Sequence, residues 1–367
     1  MSFTIGHSLK LTIFGESHGQ LVGGTLDGLP SGIRISMEEI NRWMSLRRPS
    51  QSFMTSQRKE DDSVEIVSGV EAGYSNGGPI TILIRNRDAI SSHYDELKYR
   101  PRPGHADLTS FYKYGEHRSY SGGGFLSGRL TAPMVAIGSI TIGVLETLGL
   151  HVISAIDRIG SIVSGNAPEG PMDAYSYLTR IPEREKDAEA QSLIRELLGA
   201  GDSIGGSIHT RVKGLPPGLG EPVFDSLESV IAHAMFSIPA VKGVEFGTGF
   251  GLASMRGSEA NDQFEFNGNS IMSSTNHNGG ILGGISSGMD IEFRVVVKPT
   301  SSIRIPQKTV DLRTKEQVRI SVTGRHDPCI AIRAVPVVQT MTSLVLADVL
   351  LGSGFDLSGK QKVKGKE

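Results

Sequence analysis

The amino-acid sequence predicts a single α+β domain, a layered fold in which long helices are covered on both sides. Two long and mostly apolar stretches, 131–150 and 334–352, have the length and composition of helices buried between layers. Shorter apolar or alternating stretches between them predict strands. No run of linker-like composition divides the chain, so we expect one domain over residues 1–355 and a disordered polar tail over 356–367.

The first half of the chain alternates strand and helix signals. Residues 9–13 alternate apolar with polar side chains, which predicts a strand. Ser36 with Glu39 forms a capping box, and the helix that it starts should end before Pro49. The strands expected next are "SVEIVSGV" (63–70) and "PITILIRN" (79–86), and the apolar helix at 131–150 follows them.

The second half shows a similar alternation of signals. We expect a strand at 151–160, an amphipathic helix at 183–201, a helix started by Asp225 with Glu228, a strand at 290–298 and the second apolar helix. There is also a faint internal similarity between residues 68–88 and 242–296. This similarity predicts that the fold consists of two related halves.

The composition argues against several classes of protein. A formal net charge of −2 gives no reason to expect a nucleic-acid partner. Cys329 is the only cysteine, which excludes an internal disulfide and fits a reducing compartment, so we expect a cytoplasmic location. No basic region followed by an apolar run indicates a signal peptide. The stretch 131–150 could span a bilayer by length, but Pro133 and Glu146 favour a buried helix, and we expect no membrane association.

The opening loop "FGESHG" (14–19) contains the pattern G-x-S-x-G, which occurs at the nucleophilic serine of many hydrolases. That interpretation requires a helix after the serine, whereas residues 20–32 are rich in glycine and predict a turn and a strand. His18 is also adjacent to Ser17, and neighbouring side chains on an extended loop point apart. A polar turn without chemistry remains the alternative from this loop alone.

Four stretches concentrate glycine, arginine, histidine and hydroxyl groups. Glycine-rich backbone before a helix exposes N–H groups, and "KPTSS" adds a cation and three hydroxyls, both suited to phosphate. Arg47, Arg48, Arg58 and Lys59 add positive charge, so we expect a small polyanion to bind. The four stretches are the opening loop, "RPRPGHAD" (100–107), "SYSGGGFLSGRLTA" (119–132) and the C-terminal set "NHNGGILGGISSG", "KPTSSI" and "GRHDPCI".

Common cofactor and metal motifs are absent from the sequence. There is no P-loop, and "GTGFG" (247–251) is followed by Leu252 where a dinucleotide fingerprint needs glycine. His105 with Asp107, or His326 with Asp327, could hold a metal, but no zinc spacing supports this and we predict none. The residues alone therefore predict an anion-binding enzyme with histidine acid–base groups.

Seven stretches in order resemble the chorismate synthase family: "FGESHG", "RRPS", "RPGHAD", "KYG…SGGG", "NHNGGILGGISSG", "KPTSSI" and "GRHDPC". The resemblance covers about residues 5 to 352. It implies a lyase of the shikimate pathway that converts 5-enolpyruvylshikimate 3-phosphate into chorismate by trans-1,4 elimination of phosphate. It also implies a requirement for reduced FMN without net redox change, a homotetramer, and a fold with long helices between antiparallel sheets. NADPH stays open as the reductant of the flavin.

The resemblance also implies catalytic residues. His18 matches the histidine that protonates the departing phosphate, and His105 matches the histidine near the pyrimidine edge of the flavin. Both roles suit a side chain that titrates near neutral pH. Asp348 matches the aspartate that helps to remove the proton through flavin N5, and a lone acid in an apolar helix often has unusual protonation. Ser17 and Ser127 match hydroxyls that hydrogen-bond this network.

For cofactor binding, the resemblance implies Arg47 near nicotinamide or substrate and a larger set of flavin positions. The flavin positions are Phe125, Leu126, Ser127, Pro239, Ala240, Gly283, Lys298, Pro299, Thr300, Ser301, Ser302 and Arg325. The chain departs from the usual family pattern at Leu130, at the apolar pair 125–126 and at Phe53, which affects the expected local contacts. A serine hydrolase and a non-enzymatic anion-binding module remain the alternative functions.

Overall fold

The structure, a computed structural model, describes residues 3–49, 54, 61–87, 96–322 and 326–358. The first half of the chain forms one five-stranded antiparallel sheet, a small hairpin and three helices. Its elements are β1 (Thr4–Ile5), β2 (Lys10–Gly15), β3 (Leu21–Asp27), α1 (Met37–Arg47), β4 (Val64–Ser68), β5 (Val70–Glu71), β6 (Tyr74–Ser75), β7 (Ile80–Arg85), α2 (Asp107–Tyr114) and α3 (Thr131–Thr147).

The second half forms another five-stranded antiparallel sheet, three small hairpins and four helices. Its elements are β8 (His151–Ile159), β9 (Ile162–Val163), α4 (Arg184–Ala200), β10 (Gly206–Lys213), α5 (Leu227–Phe236), β11 (Val241–Phe246), α6 (Gly257–Ala260), β12 (Phe264–Asn267), β13 (Ser270–Ser273), β14 (Ile281–Leu282), β15 (Ile285–Ser286), β16 (Ile291–Val297), β17 (Gln307–Asp311), β18 (Glu316–Ile320) and α7 (Ala331–Gly352).

Four strands of each sheet share one topology, which supports the predicted relationship between the halves, whereas the outer strand β1 precedes β2 and the outer strand β9 follows β8. The first sheet has the strand order β1-β2-β3-β7-β4, and the second has β9-β8-β10-β16-β11. In the first half, helix α1 joins β3 to the edge strand β4. In the second half, helix α5 joins β10 to the edge strand β11. Each half then ends in a long apolar helix, α3 or α7. The similar stretches each cover an edge strand and its neighbour in the sheet: residues 68–88 extend from the end of β4 to β7, and residues 242–296 extend from β11 to β16.

The long helices lie between the sheets, as the predicted α+β sandwich requires. Helix α3 packs on β2, β3 and β7, helix α7 packs on β8 and β10, and the helices pack against each other. Alternate residues of β7 supply buried side chains, among them Ile80, Ile82 and Ile84. Two helices, Gly128–Thr147 and Ala331–Gly352, are long and apolar enough to cross a membrane, but 83% of each apolar window is buried within the chain. Such burial is typical of core helices.

Local signals predicted several element boundaries. Ser36 caps α1 by accepting a hydrogen bond from the Glu39 amide at 3.2 Å, as expected. The cap of α5 was predicted at Asp225, but it is Ser226, whose hydroxyl accepts from the Ser229 amide. The polar tail was predicted to begin at residue 356, which is too early because Leu357 is only 1% exposed in the core. Residues 359–367 of that predicted tail lie outside the described residues.

The crossing of α3 and α7 depends on Gly138. A Cβ atom at this position would lie 2.7 Å from the carbonyl oxygen of Thr340 and 2.8 Å from its Cβ. Backbone of a neighbouring helix cannot move away cheaply. Glycine at this position therefore sets the close approach of the two central helices.

We predict that Gly138→Ala destabilises the protein. Overpacking a core contact typically costs ~1–3 kcal/mol, which exceeds the ~1 kcal/mol that alanine gains over glycine in a helix. The matched control is Gly143→Ala in the same helix, where the added methyl group meets nothing within 4 Å and should be neutral or stabilising. Thermal unfolding of both variants is the measurement. An unchanged or raised melting temperature for Gly138→Ala would show that the crossing tolerates a side chain.

Candidate active site

A cavity of about 750 Å³ opens where α3 and α7 begin. Thr131, the first residue of α3, and Ile330 and Arg333 at the start of α7 all line it. Helix N-termini carry unpaired N–H groups and partial positive charge, which favours anions. The packing of the two long helices therefore brings two such termini to one cavity.

The walls of this cavity are rich in cations. Among the described residues, the only carboxylate that lines it is Asp327, against six positively charged side chains. Such an excess of cations suits a ligand with several negative charges. The cations are Arg47, Arg102, Arg129, Lys242, Lys298 and Arg333.

A buried carboxylate behind the wall holds two of these cations. Asp62 accepts a hydrogen bond from Arg47 Nη2 at 2.5 Å and another from Arg129 Nη1. Burial alone would raise the pKa of Asp62, but the two guanidinium groups outweigh it and lower that pKa to about 2. Burial also lowers the pKa of Arg47 to about 10, although Asp62 partly opposes this. Arg47 therefore remains charged at neutral pH.

A second carboxylate, Asp107, holds Arg102 and His105. Arg102 donates from Nε and Nη2 to the two oxygens of Asp107 at 2.7 and 2.9 Å, and from Nη1 to Ser302 Oγ at 3.0 Å. His105 Nδ1 lies 2.7 Å from Asp107 Oδ1 and 3.1 Å from Arg102 Nη2. Arg102 has no acceptor to offer, so we assign the Nδ1 proton to the bond with Asp107. His105 Nε2 is then the nitrogen able to exchange a proton.

Burial would raise the pKa of Asp107, but hydrogen bonds from Arg102 and His105 hold it well below its usual range. The nearby His326 also lines the cavity, and burial, reinforced by the charge of Arg102, lowers its pKa to about 4. His326 is therefore neutral at neutral pH. It adds no charge to a ligand site that already contains many cations.

Three glycines with positive φ cover Ser17 and the two predicted histidines. A Cβ atom on Gly122 would lie 2.3 Å from His18 Cδ2 and 2.7 Å from Ser17 Oγ. The neighbouring Gly123 faces His105, where the corresponding distance to Cε1 is 3.7 Å. At Gly122 only a residue without a side chain allows the backbone to run this close to His18, and at Gly123 the positive φ is what favours glycine.

The side chain of Ser17 is bonded to the glycine loop. It is fully buried, and its Oγ donates to the carbonyl of Gly122 at 2.9 Å. The strand β3 begins at Leu21, so the loop joins two strands instead of a strand and a helix. The hydrolase interpretation of G-x-S-x-G therefore lacks its structural context.

The "KPTSS" stretch lies along one wall of the cavity and is tied to two other loops. Lys298 Nζ donates to Ser301 Oγ at 2.8 Å and to the carbonyl of Gly104. Thr300 Oγ1 donates to the carbonyl of Asp327 at 2.7 Å. Within the described part of the chain, no carboxylate pairs with Lys298. This cation is therefore available to an anionic ligand.

Most of the predicted site residues line this cavity. They are His18, Arg47, His105, Phe125, Leu126, Ser127, Pro239, Ala240, Lys298, Pro299, Thr300, Ser301 and Ser302. Of the positions that depart from the family pattern, Leu130 is buried in the core and the pair 125–126 lies in the cavity wall. Arg325 and Phe53, and the cations Arg58 and Lys59, lie outside the described residues.

The prediction that Asp348 lies at the wall of the site is wrong. Its carboxylate accepts hydrogen bonds from the backbone amides of His7, Ser8 and Leu9 at 2.7–2.9 Å. Val337 is the last residue of α7 in the cavity wall, and eleven further residues place Asp348 ~16 Å along the helix. The lone acid in an apolar helix is explained by the N-terminal turn that it binds.

Gly283 is also separate from the cavity. It lies in the turn between β14 and β15 with φ of +63°, and a Cβ atom there would meet nothing within 4 Å. The positive φ explains why glycine occupies this position. Gly283 of this chain does not line the candidate site.

Several residues of the site were not predicted from the sequence. Arg102 has no individual role in the sequence analysis, although it lies in the stretch "RPRPGHAD", and Asp107 and Asp327 appear there only as weak candidate metal ligands. Asp62 and Asn86 were not considered, although Asn86 accepts from Arg129 Nε at 2.9 Å. The motifs "GRHDPC" and "RPRPGHAD", which contain Asp327 and Arg102, could have indicated that these two residues belong to the site.

No group of three or more potential metal ligands occurs among the described residues.

We predict that Asp348 supports stability. Asp348→Ala leaves three backbone N–H groups without their acceptor, and the loss of charge-assisted hydrogen bonds typically costs ~1.5–3 kcal/mol each before water replaces them. The melting temperature of Asp348→Ala should fall. That of Asp348→Asn should fall less, because asparagine keeps one carbonyl acceptor. Thermal unfolding of both variants is the measurement. A melting temperature equal to that of the wild type, with turnover abolished, would restore a catalytic role.

Comparison with known proteins agrees with this geometry. The family model described as Chorismate synthase matches residues 9–351. A chorismate synthase from Korarchaeum cryptofilum is 45% identical over 350 residues, which cover 95% of this chain and 97% of that protein. One from Methanosarcina mazei is 47% identical over 354 residues, covering 95% and 96%. A solved structure titled "Crystal Structure of Chorismate Synthase" matches with a TM-score of 0.74 and 31% identity, covering 96% of this chain and 94% of the other. The chain therefore belongs to the chorismate synthase family.

Proposed function

We propose that this chain converts 5-enolpyruvylshikimate 3-phosphate into chorismate and phosphate by trans-1,4 elimination, with reduced FMN bound in the same cavity. Family membership makes the chain a lyase of the shikimate pathway. The observation that carries the finer proposal is the single cavity that holds six cations, two helix N-termini and the predicted histidines.

The charges of the proposed ligands match the walls of the cavity. The substrate carries a phosphate and two carboxylates, and FMN carries a second phosphate. Placing these anions side by side would cost electrostatic energy unless fixed cations surround them. Arg47, Arg102 and Arg129 are held by carboxylates behind the wall, so they are oriented before a ligand arrives. Lys298 adds a cation with no carboxylate partner among the described residues.

The cavity residues fit a flavin as well as an anion. Its apolar lining can contact an aromatic ring system, while the "KPTSS" hydroxyls and Lys298 can bind the FMN phosphate. When bound, reduced FMN supplies electron density transiently as phosphate leaves and takes it back afterwards. The apolar lining comprises Phe125, Leu126, Phe236, Ile238, Pro239, Ala240, Val241, Ile330, Ala334 and Val337.

We assign proton transfer to the two histidines. His18 is proposed to protonate the departing phosphate, because it lies in the cavity under the glycine loop. His105 is proposed to contact the polar edge of the flavin, with its tautomer fixed by Asp107. Asp327 replaces Asp348 as the acid of the site, since it is the carboxylate in the described wall. Its Oδ2 accepts a hydrogen bond from Arg333 at 2.7 Å.

The remaining parts of the proposal rest on family membership. We propose a homotetramer in the cytoplasm, with no nucleic-acid or membrane partner and with NADPH as a reductant of the flavin. We also propose one catalytic domain that extends at least through Leu357, which is buried in the core. Arg47 is proposed to bind substrate, because Asp62 and Thr131 hold its guanidinium in the cavity wall.

We predict that turnover requires reduced FMN and not merely bound FMN. The reaction has no net redox change, so a flavin that served only as a structural ligand would work equally well when oxidised. The measurement is chorismate formation under anaerobic conditions with chemically reduced FMN, with oxidised FMN and with no flavin. Equal rates in the three samples would overturn the proposed function.

We predict that His18→Ala and His105→Ala lower turnover by roughly 10²–10⁴-fold, the range typical of general acid–base groups. FMN affinity should change much less, because neither side chain fills an apolar space. His117→Ala is the control, since His117 is exposed and lies outside the cavity wall. Steady-state turnover and FMN titration are measured for all three variants. Near-normal turnover in either test variant would return that histidine to a structural role.

A further inference from the structure

We propose that Asp62 is a positioning residue for the reaction: a buried carboxylate that orients the guanidinium groups of Arg47 and Arg129 toward the anionic groups of the substrate. This inference rests on the proposed function, because it concerns how the same cavity binds its phosphorylated substrate. Asp62 itself does not line the cavity. It acts through the two arginines that do.

The geometry gives Asp62 one partner on each oxygen. Oδ2 accepts from Arg47 Nη2 at 2.5 Å, and Oδ1 accepts from Arg129 Nη1. The side chain of Asp62 is 0% exposed, and those of Arg47 and Arg129 are 3% and 5% exposed. A dry ion pair with two hydrogen bonds fixes its members far better than a solvated one. Both cations are therefore held in one orientation.

Further hydrogen bonds of the two arginines extend this order through the site. Arg129 Nε donates to Asn86 Oδ1 at 2.9 Å, and Asn86 Nδ2 donates to the carbonyls of Glu16 and Gly19 at 2.8 Å. These two carbonyls flank Ser17 and His18 in the opening loop. Arg47 Nη1 donates to Thr131 Oγ1 at 3.2 Å, at the start of α3. Asp62 thus connects the arginines to the loop that carries a predicted catalytic histidine.

Mutual repulsion makes the shared carboxylate necessary. Arg129 and Arg333 are both close enough to Arg47 to disfavour its charged form. Arg333 has its own partner in Asp327, whereas Arg47 and Arg129 share Asp62. With Asp62 neutral, the repulsion between these two buried guanidinium groups would no longer be offset by the carboxylate that they share. They would separate, and their N–H groups would no longer converge on one substrate position.

The preceding residue provides a matched control. Asp61 also pairs with an arginine, Arg87, at 2.5 Å, but the two side chains are 66% and 64% exposed. Exposed ion pairs of this kind contribute little to stability. Neither Asp61 nor Arg87 lines the cavity. Asp61 and Asp62 therefore have the same chemistry but differ in two respects. Asp62 is buried and Asp61 is exposed, and the arginines bound to Asp62 line the cavity whereas Arg87 does not.

The experiment compares Asp62→Asn with Asp61→Asn in the anaerobic assay with reduced FMN. We expect Asp62→Asn to raise the KM for 5-enolpyruvylshikimate 3-phosphate roughly 10–100-fold, because two charge-assisted contacts lose their alignment. The same loss should appear in the inhibition constant of inorganic phosphate, while kcat falls less and FMN affinity is retained. Asp61→Asn should leave all four values unchanged.

The sign of the effect is decisive. Asparagine makes the cavity more positive, so if charge alone governed binding, Asp62→Asn would lower the KM and the inhibition constant. A lowered or unchanged KM in Asp62→Asn would overturn the inference. If Asp62→Asn does not fold, Asp62→Glu decides, because it keeps the charge but moves the carboxylate by one methylene. A raised KM in that variant supports positioning, and a wild-type KM contradicts it.

The outcome is separable from a failure of the proposed function. If the wild-type protein makes no chorismate with reduced FMN, the proposed function fails. If the wild type is active and Asp62→Asn behaves like Asp61→Asn, only the role of Asp62 fails. Calorimetric titration of the substrate into flavin-free protein gives a readout that does not depend on turnover. There the same weakening of roughly 10–100-fold is expected for Asp62→Asn.

Discussion

The close crossing of α3 and α7 is the contact on which the rest of the structure depends. Gly138 lets the backbone of α3 approach Thr340 of α7 without an intervening side chain. The crossing lies two to three turns into each helix, ~10–14 Å from either start, and both helices begin at the same cavity. The two related halves each contribute one sheet and one of these helices. The site is therefore formed at the junction of the halves, where two positive helix termini meet.

The second constraint is electrostatic. The cavity is lined by six cations, and carboxylates that lie outside the cavity hold three of them, Arg47, Arg102 and Arg129. Asp62 and Asp107 lie behind the wall, and the arginines that they hold line the interior. The pKa of each carboxyl is lowered by this pairing in spite of burial. The negative charge of a substrate can then enter a site whose cations are already fixed.

Local signals allowed most of the fold to be predicted. The strands, the cap at Ser36 and the two apolar helices follow from short-range periodicity, and the shared topology of the halves was visible as a weak internal similarity. Thirteen of the predicted site residues line the cavity because the motifs that contain them are loops joined to these elements. Asp348 was misassigned because its partners, residues 7–9, lie at the opposite end of the chain. Asp62 was missed because "EDD" resembles a solvated acidic run, and only the fold shows which of its acids is buried.

The most direct measurement is a crystal structure of the protein with FMN and 5-enolpyruvylshikimate 3-phosphate bound. We expect both molecules in the cavity at the starts of α3 and α7, with His18 and His105 beside them. The two phosphates should be in hydrogen-bond contact with Lys298, Arg47 or Arg129. This expectation would be contradicted by FMN bound at the turn that contains Gly283 or at the end of α7 near Asp348. Phosphates that point away from the cations of the cavity would contradict it equally.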